Sequence, residues 1–330
     1  MSGKDDVRPG GRARKAAALL VGVVAVGLAV LALLRAGGLE RGFPLVQLVA
    51  FTPLVLTLAP VVVVAAVLLR QWWSAAIVAL AGIVLAALVL PRAFEEEPRE
   101  AHGPSLTVMA LNAHEGQVAP EVIVDLVHEH GVDVLTLQEA TPELADGLAD
   151  AGLAETLPHS VDRSAPGVAG GSVHAAHPVT DLGDLGHDID SLAQPRAGLE
   201  VPGASDPVEV VSVHPMPPLA PSTMGPWREG LRALPEAEDE ILRILAGDFN
   251  ATLDHAEMRG VLDRGYTDAA DSLGRGLTGT WPIGGPLPAV TLDRVVVDHR
   301  VDVKDMEFAD LADSEHRAVI TDLILPGEPD

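Results

Sequence analysis

The stretch "LAGDFNAT", residues 245 to 252, ends an apolar run beginning at Ile241 with Asp248 and Asn250 two positions apart. Residues i and i+2 of a strand point to one side, so this carboxylate and carboxamide can converge on one ligand. An Asp-x-Asn turn closing the strand is the plainer alternative. Other polar residues stand at comparable places. Asn112 follows "SLTVMAL", Gln138 and Glu139 follow "VDVLTL", His214 follows "VEVVSV", Asp293 lies in "TLDRVVV" and His316 precedes "RAVITDLIL". Carboxylates supply oxygen ligands to a hard divalent cation such as Mg²⁺, amides hold phosphate oxygens, and imidazoles move protons or stabilise charge.

Such a set works only if strand ends bring it together. From Ser105 onward, short apolar runs alternate with helical or turn-rich stretches. "SLTVMALNAH" and "VDVLTLQEA" read as strands, and "PEVIVDLVHEHG" between them reads as an amphipathic helix stopped at Gly131. Strand, helix, strand in this order implies a layered α/β domain. "DPVEVVSVHPMPP", "EILRILAGDFN", "TLDRVVVDHRVDVKDMEF" and "HRAVITDLIL" are strand-like, with a helix expected near 254 to 264. Residues 160 to 203 read as loop-rich; His174 and His177 within them are expected on the surface. In layered α/β folds, strand ends are where separate segments meet at one site.

Composition narrows the function. The 330 residues contain no cysteine, which excludes disulfides, thiolate zinc sites and cysteine nucleophiles. Positions 101 to 330 hold 12 Lys+Arg against 40 Asp+Glu, a formal charge near −28. That balance argues against tight binding of long nucleic acid, and the scarcity of aromatic residues argues against a base-stacking platform.

The N-terminal third differs in kind. Residues 16 to 34 carry no charge and span roughly 28 Å as a helix, close to a bilayer core. Two further apolar segments cover about 45 to 69, with Pro53 and Pro60, and 74 to 90, preceded by Trp72 and Trp73 as an interfacial pair. The expected organisation is a basic cytoplasmic tail (1–15), a transmembrane region (16–91), a linker (92–104) and the layered α/β domain (105–326). Lys4, Arg8, Arg12, Arg14 and Lys15 put the N-terminus in the cytoplasm; three crossings of the cell membrane then put the domain outside, and two would leave it in the cytoplasm. The spans hold no ionisable residue, which argues against a transporter.

The order Asn112, "LQEAT", "SVHPMPP", "GDFNAT", "GTWP" with "TLDRVVV", and "SEHRAV" resembles the endonuclease/exonuclease/phosphatase family over roughly residues 105 to 326. The resemblance implies a four-layered α/β sandwich of two packed sheets flanked by helices, and hydrolysis of phosphoester bonds with Mg²⁺ or Mn²⁺. It implies Glu139 as a metal ligand with Asn112 beside the metal, Asp248 activating or orienting water and Asn250 holding a phosphate oxygen. His214 becomes a second phosphate contact or acid, and Asp293 orients His316 as general base or transition-state stabiliser. Glu315 stands where the family usually has Asp, which keeps a charge for the metal but lengthens the arm. The motif usually found between Glu139 and His214 is poorly matched. The expected protein is a membrane-anchored phosphoesterase acting on a nucleic acid fragment, a lipid head group or a small metabolite. A non-catalytic binding or scaffold protein is the alternative, with the Glu315 departure as its support.

Overall fold

The computed structural model describes residues 9–97, 101–185 and 192–328. Alternation along the central strands sets the layers. In β1 (Ser105–Asn112), Leu106, Val108 and Ala110 face one core while Met109 and Leu111 face another. Apolar residues on both faces mark a strand covered on both sides.

Strands β2 (Val134–Gln138), β3 (His159–Arg163), β4 (Gly171–Ala175), β11 (Asp302–Asp310) and β12 (Arg317–Ile324) join β1 in the order β11-β12-β1-β2-β4-β3. The second sheet has the order β5-β6-β7-β8-β10-β9. Its strands are β5 (Val179–Asp184), β6 (Pro195–Leu199), β7 (Val208–Val213), β8 (Leu242–Asp248), β9 (Tyr266–Asp268) and β10 (Asp293–Asp298). Val108, Val134, Val210, Ile244, Val295 and Val319 meet between the sheets. In each sheet the central pair, β1 with β2 and β7 with β8, is parallel, and the other pairings are antiparallel.

Four early helices are α1 (Pro9–Gly37), α2 (Leu45–Ala50), α3 (Thr52–Leu68) and α4 (Trp72–Val89). Helices α5 (Pro120–His130) and α6 (Pro142–Asp150) cover the outer face of the first sheet through Ile123, Val127, Leu144 and Leu148. Gly131 ends α5 in the left-handed conformation, φ 58°. Helices α7 (Met224–Ala233) and α8 (Ala256–Leu262) cover the second through Trp227, Leu231, Met258 and Val261; α9 (Ala269–Ser272) is a single turn. This is the expected sandwich: helix, sheet, sheet, helix.

Residues 159 to 199 are richer in strands than their sequence indicates, contributing β3 to β6. His174 is half-buried in β4 rather than on a surface loop, its imidazole pushed down to about 4 by burial, with Ser172 Oγ 3.0 Å from its Nε2; His177 is half-buried as well.

The expected middle span is also revised. Residues from Leu45 do not form one helix: the chain turns at Phe51, and α2 packs onto the second sheet, with Val46 in the same core as Trp227 and Met258. Pro53 therefore starts α3 rather than interrupting it, while Pro60 lies inside. Two helical stretches, Arg12–Gly37 and Trp72–Ala93, are long and apolar enough to cross a membrane; Thr52–Leu68 is a shorter apolar helix of 17 residues. The three pack through small residues, Ala25, Ala32, Ala59 and Ala81, and a Cβ on Gly82 would stand 3.2 Å from Ala59. Leu19, Leu33, Leu58 and Ile83 point outward, exposed.

The ends of α1 and α4 are fastened to the sandwich. Arg35 Nε donates to Asp254 Oδ1 at 2.6 Å, and Arg92 donates to both Asp254 oxygens at 2.9 Å, all three side chains buried. Glu40 accepts the Ala256 N–H at the start of α8, Gln47 donates to the Pro218 carbonyl, and His255 Nε2 lies 2.9 Å from the Val46 carbonyl.

Candidate active site

Because β1 and β2 are parallel, their carboxyl ends lie together, and so do those of β7 and β8. Asn112, Glu139, His214 and Asp248 all follow from these four ends. The antiparallel partners bring their beginnings to the same edge: Asp293 pairs with Asp248 across β10 and β8, and His316 precedes β12, which runs against β1.

Asp248 Oδ2 is the centre of the group. Asn112 Nδ2 lies 3.3 Å from it and donates to Glu139 Oε1 at 3.1 Å. His214 Nε2 stands 4.0 Å from Asp248 Oδ2 and 3.9 Å from Glu139 Oε1, and His316 Nε2 stands 4.0 Å from Asp248 Oδ2. The imidazole separations exceed hydrogen-bond length.

Asp248 Oδ1 does something else. It accepts the Asn250 N–H at 2.8 Å, so the Asp-x-Asn turn is real and coexists with the site-facing oxygen. Strand alternation does not place Asn250, since β8 ends at Asp248 and Asn250 has φ 48°. The turn places it on the cleft wall, where its Nδ2 donates to the Pro215 carbonyl and Trp227 Nε1 holds its own carbonyl. Gly247 precedes with φ +148°, and a Cβ there would lie 2.3 Å from the Val213 carbonyl oxygen and 2.7 Å from Gln138 Nε2. The motif needs glycine for this close approach to the neighbouring strand β7 and to Gln138 of the facing sheet.

Backbone strain gathers here. Among the described residues, non-glycine residues with positive φ are Arg70 and, at the site, His114, Glu115, Glu139 and Asn250. Each such residue costs on the order of 1 kcal/mol, and strain of this kind collects at functional sites. The twist at Glu139 leaves its Oε2 accepting the Glu115 N–H at 2.7 Å.

The two histidines are electrostatic opposites. His316 is buried, which works against its charge, but Asp293 outweighs that through both oxygens at 3.0 Å from Nδ1. Aided by Asp248 and Glu139, it carries the imidazole up to about 9. Pairing with a carboxylate puts a proton on Nδ1 and leaves Nε2 facing Asp248. Burial pushes His214 down to about 4, Asp248 opposing and His316 reinforcing the shift. Its Nδ1 has no hydrogen-bond partner among the described residues. Burial and the nearby Asp293 push the Asp248 carboxyl up, against the pull of His316, His214 and the Asn250 N–H.

Asp248, Asp293 and His316 offer ligand atoms within 4.8 Å of one another. Asp293 spends both oxygens on His316, so that pair acts as a carboxylate–imidazole couple; Glu139 and Asp248, with the Asn112 carboxamide between them, form an oxygen-rich face. Crowded hard oxygen donors, one of them pushed up by burial and then by a like charge, fit a divalent cation. Glu315 lines the rim of the cleft, exposed, outside the Asp248, Asp293 and His316 group.

Several contributors had no role assigned from sequence. Thr280 Oγ1 accepts the N–H groups of Leu292 and Asp293 and so sets the start of β10. Ser314 ties β12 to β1, donating to the Asn112 carbonyl while accepting the His316 N–H. Gln194 Oε1 accepts the His214 N–H, and the Trp281 ring centroid lies 6.3 Å from that of His316. "GTWP" and "SEHRAV" were the available signals; Gln194 had none.

Two packed sheets with this chemistry at their shared edge define the class. The model of the Endonuclease/Exonuclease/phosphatase family matches residues 110–316, and the chain belongs to that family. The solved endonuclease/exonuclease/phosphatase from Beutenbergia cavernae superposes with a TM-score of 0.52 at 20% identity, covering 68% of this chain and 72% of that one. D. rerio TDP2 complexed with single strand DNA product gives 0.52 at 18% identity, with 66% and 98% covered. A Bacteroides vulgatus endonuclease/exonuclease/phosphatase gives 0.51 at 14% identity, with 67% and 99% covered. At these identities the likeness is one of fold. No curated protein matches the chain.

Proposed function

We propose that this protein is a divalent-metal-dependent phosphoesterase, held at a membrane by its N-terminal helices with the sandwich on the outer side. The observation that carries the reading is the convergence of Asn112, Glu139, His214 and His316 around Asp248 Oδ2. Family membership supports the reaction class.

Glu139 would hold Mg²⁺ or Mn²⁺ with Asn112 beside it, and Glu315 at the rim stays an outer contributor. When bound, the cation neutralises charge on the phosphoryl oxygens. Asp248 Oδ2, flanked by donors, accepts a proton from the attacking water and orients it. The water oxygen bonds to phosphorus, the ester P–O bond breaks, and the leaving oxygen takes up a proton. Asn250 holds a phosphoryl oxygen through its carboxamide. With its imidazole at about 9, His316 is a cation at neutral pH, so it suits charge stabilisation or proton donation better than the role of base. His214, near 4, is a neutral phosphate contact.

Positive N-terminal charge supports the anchor's direction, with the shorter apolar α3, packed against the two long apolar helices, counted as a third crossing. Because Arg35 and Arg92 are buried against Asp254, the test uses the full chain rather than an excised domain. Purified in nanodiscs, it should cleave a nitrophenyl phosphodiester or monoester only with Mg²⁺ or Mn²⁺, and Glu139→Gln should lose at least about 100-fold. Turnover that ignores the metal, or survives Glu139→Gln, would remove this reading.

A further inference from the structure

The catalytic edge opens into a cleft of about 430 Å³ whose apolar walls the mechanism above does not use. Its floor is polar, with Glu139, His214, Asp248 and His316. Its walls are not: Phe51, Met216, Leu219, Leu287, Val290 and Leu292 line them. They come from three distant parts of the chain, and one of those is the corner between α2 and α3. The N-terminal helical region therefore supplies part of the active-site wall.

Two observations say what occupies it. First, residues of the apolar wall are themselves exposed, and the helix that leaves from it carries further exposed apolar residues. Leu219 is 68% exposed and Leu287 is 60% exposed on the sandwich side; from Phe51, α3 departs with Leu54 and Leu58 also exposed. Apolar surface beside a reactive floor and along the flank of membrane-type helices suits a chain, not a sugar or a base. Second, the net charge of −25 opposes a polyanion approaching from solution, and it opposes a single phosphoester least.

We infer that the substrate is a membrane amphiphile, a phosphoester whose alkyl portion lies along the Phe51, Leu219 and Leu287 wall while its phosphorus sits over Asp248. The inference rests on the phosphoesterase reading for its floor and on the cleft for its wall. The placement of α2 now has a function: fixed by Gln47 and by the Val46 carbonyl, it holds Phe51 at the mouth.

The test compares octyl 4-nitrophenyl phosphate with methyl 4-nitrophenyl phosphate, which share the scissile bond, on the full chain in phosphatidylcholine nanodiscs with Mg²⁺. The octyl ester should have a kcat/KM at least about tenfold higher. Partitioning into the bilayer raises that ratio equally in every variant, so the deciding measurement is the double variant L219N/L287N, which should reduce it at least about threefold. An unchanged ratio overturns the inference. A second readout needs no turnover: octyl phosphate with a terminal diazirine is photolysed on E139Q protein. Labels on residues 216–219 or 287–292 uphold the wall, and labels confined to the outer faces of α1, α3 and α4 overturn it. If neither ester is cleaved, the phosphodiesterase form of the proposed function fails while the labelling still decides this inference.

Discussion

Arg35, at the end of α1, donates from Nε to Asp254 Oδ1 at 2.6 Å, and 219 residues of chain separate the two. Arg92, in the short turn that follows α4, reaches the same carboxylate. One buried anion thus holds the ends of both membrane-type helices, and the desolvation cost of the buried charges is offset in part because both guanidinium groups share that carboxylate.

Removing that anion strands two buried guanidinium groups. Asp254→Ala should cost about 3–5 kcal/mol and loosen the helices from the sandwich. Thermal unfolding in nanodiscs and limited proteolysis between residues 97 and 104 report it. An unchanged Tm with no new cleavage would show that the cluster holds nothing together.

Asp293 touches His316 and, in the proposed mechanism, no reacting atom, so it acts as a positioning residue. Asp293→Asn should lower kcat by about two orders of magnitude with KM little changed, because the amide no longer fixes a proton on Nδ1. A change confined to KM would count against this assignment.

The two glutamates should separate. Glu139, with both oxygens engaged at the centre, should lose at least about 100-fold on conversion to Gln, whereas rim-exposed Glu315 should lose less than about tenfold on conversion to Ala. Titrating activity against Mg²⁺ for both variants checks the contrast, and a larger loss in E315A would make Glu315 a full ligand.

Asp271 gives a pH dependence remote from the site. Burial, with help from Asp268, pushes its carboxyl up to about 6 against the pull of Arg92 and Arg294. A carboxyl raised in the folded state favours the protonated form there, so stability falls as pH rises from about 4 to 6 and then levels. Asp271→Asn should abolish that slope and stabilise the protein at pH 7.5 by about 1–2 kcal/mol, after allowance for its partial exposure to solvent. Denaturant midpoints at pH 4.5 and 7.5 measure it; an identical slope in the variant would refute the assignment.

Much of the sandwich was legible because its central strands are regular. Val108, Ala110, Val134 and Ile244 sit on period-two patterns, and α5 runs from Pro120 to a left-handed Gly131. Strands β3 to β6 were not legible. They are short and carry Asp, Gly and Pro, as in "VTDLGD" and "PRAGL", so local propensity speaks against them and only pairing with neighbours makes them strands.

By itself the sequence determined the residue types at the strand ends, the acidic character of the sandwich and the apolar character of the N-terminal third, since each is a property of local composition and spacing. The tertiary structure decided which of these meet. Hydropathy cannot distinguish a valine in lipid from Val46 against a sheet, because both environments are apolar. Nor can it show that Arg35 and Arg92, which look like charges flanking a span, lie buried on Asp254. Asp248 has one oxygen closing a local turn and the other facing Asn112 from 136 residues away. The first follows from two positions of chain; the second exists only because parallel strands end at one edge.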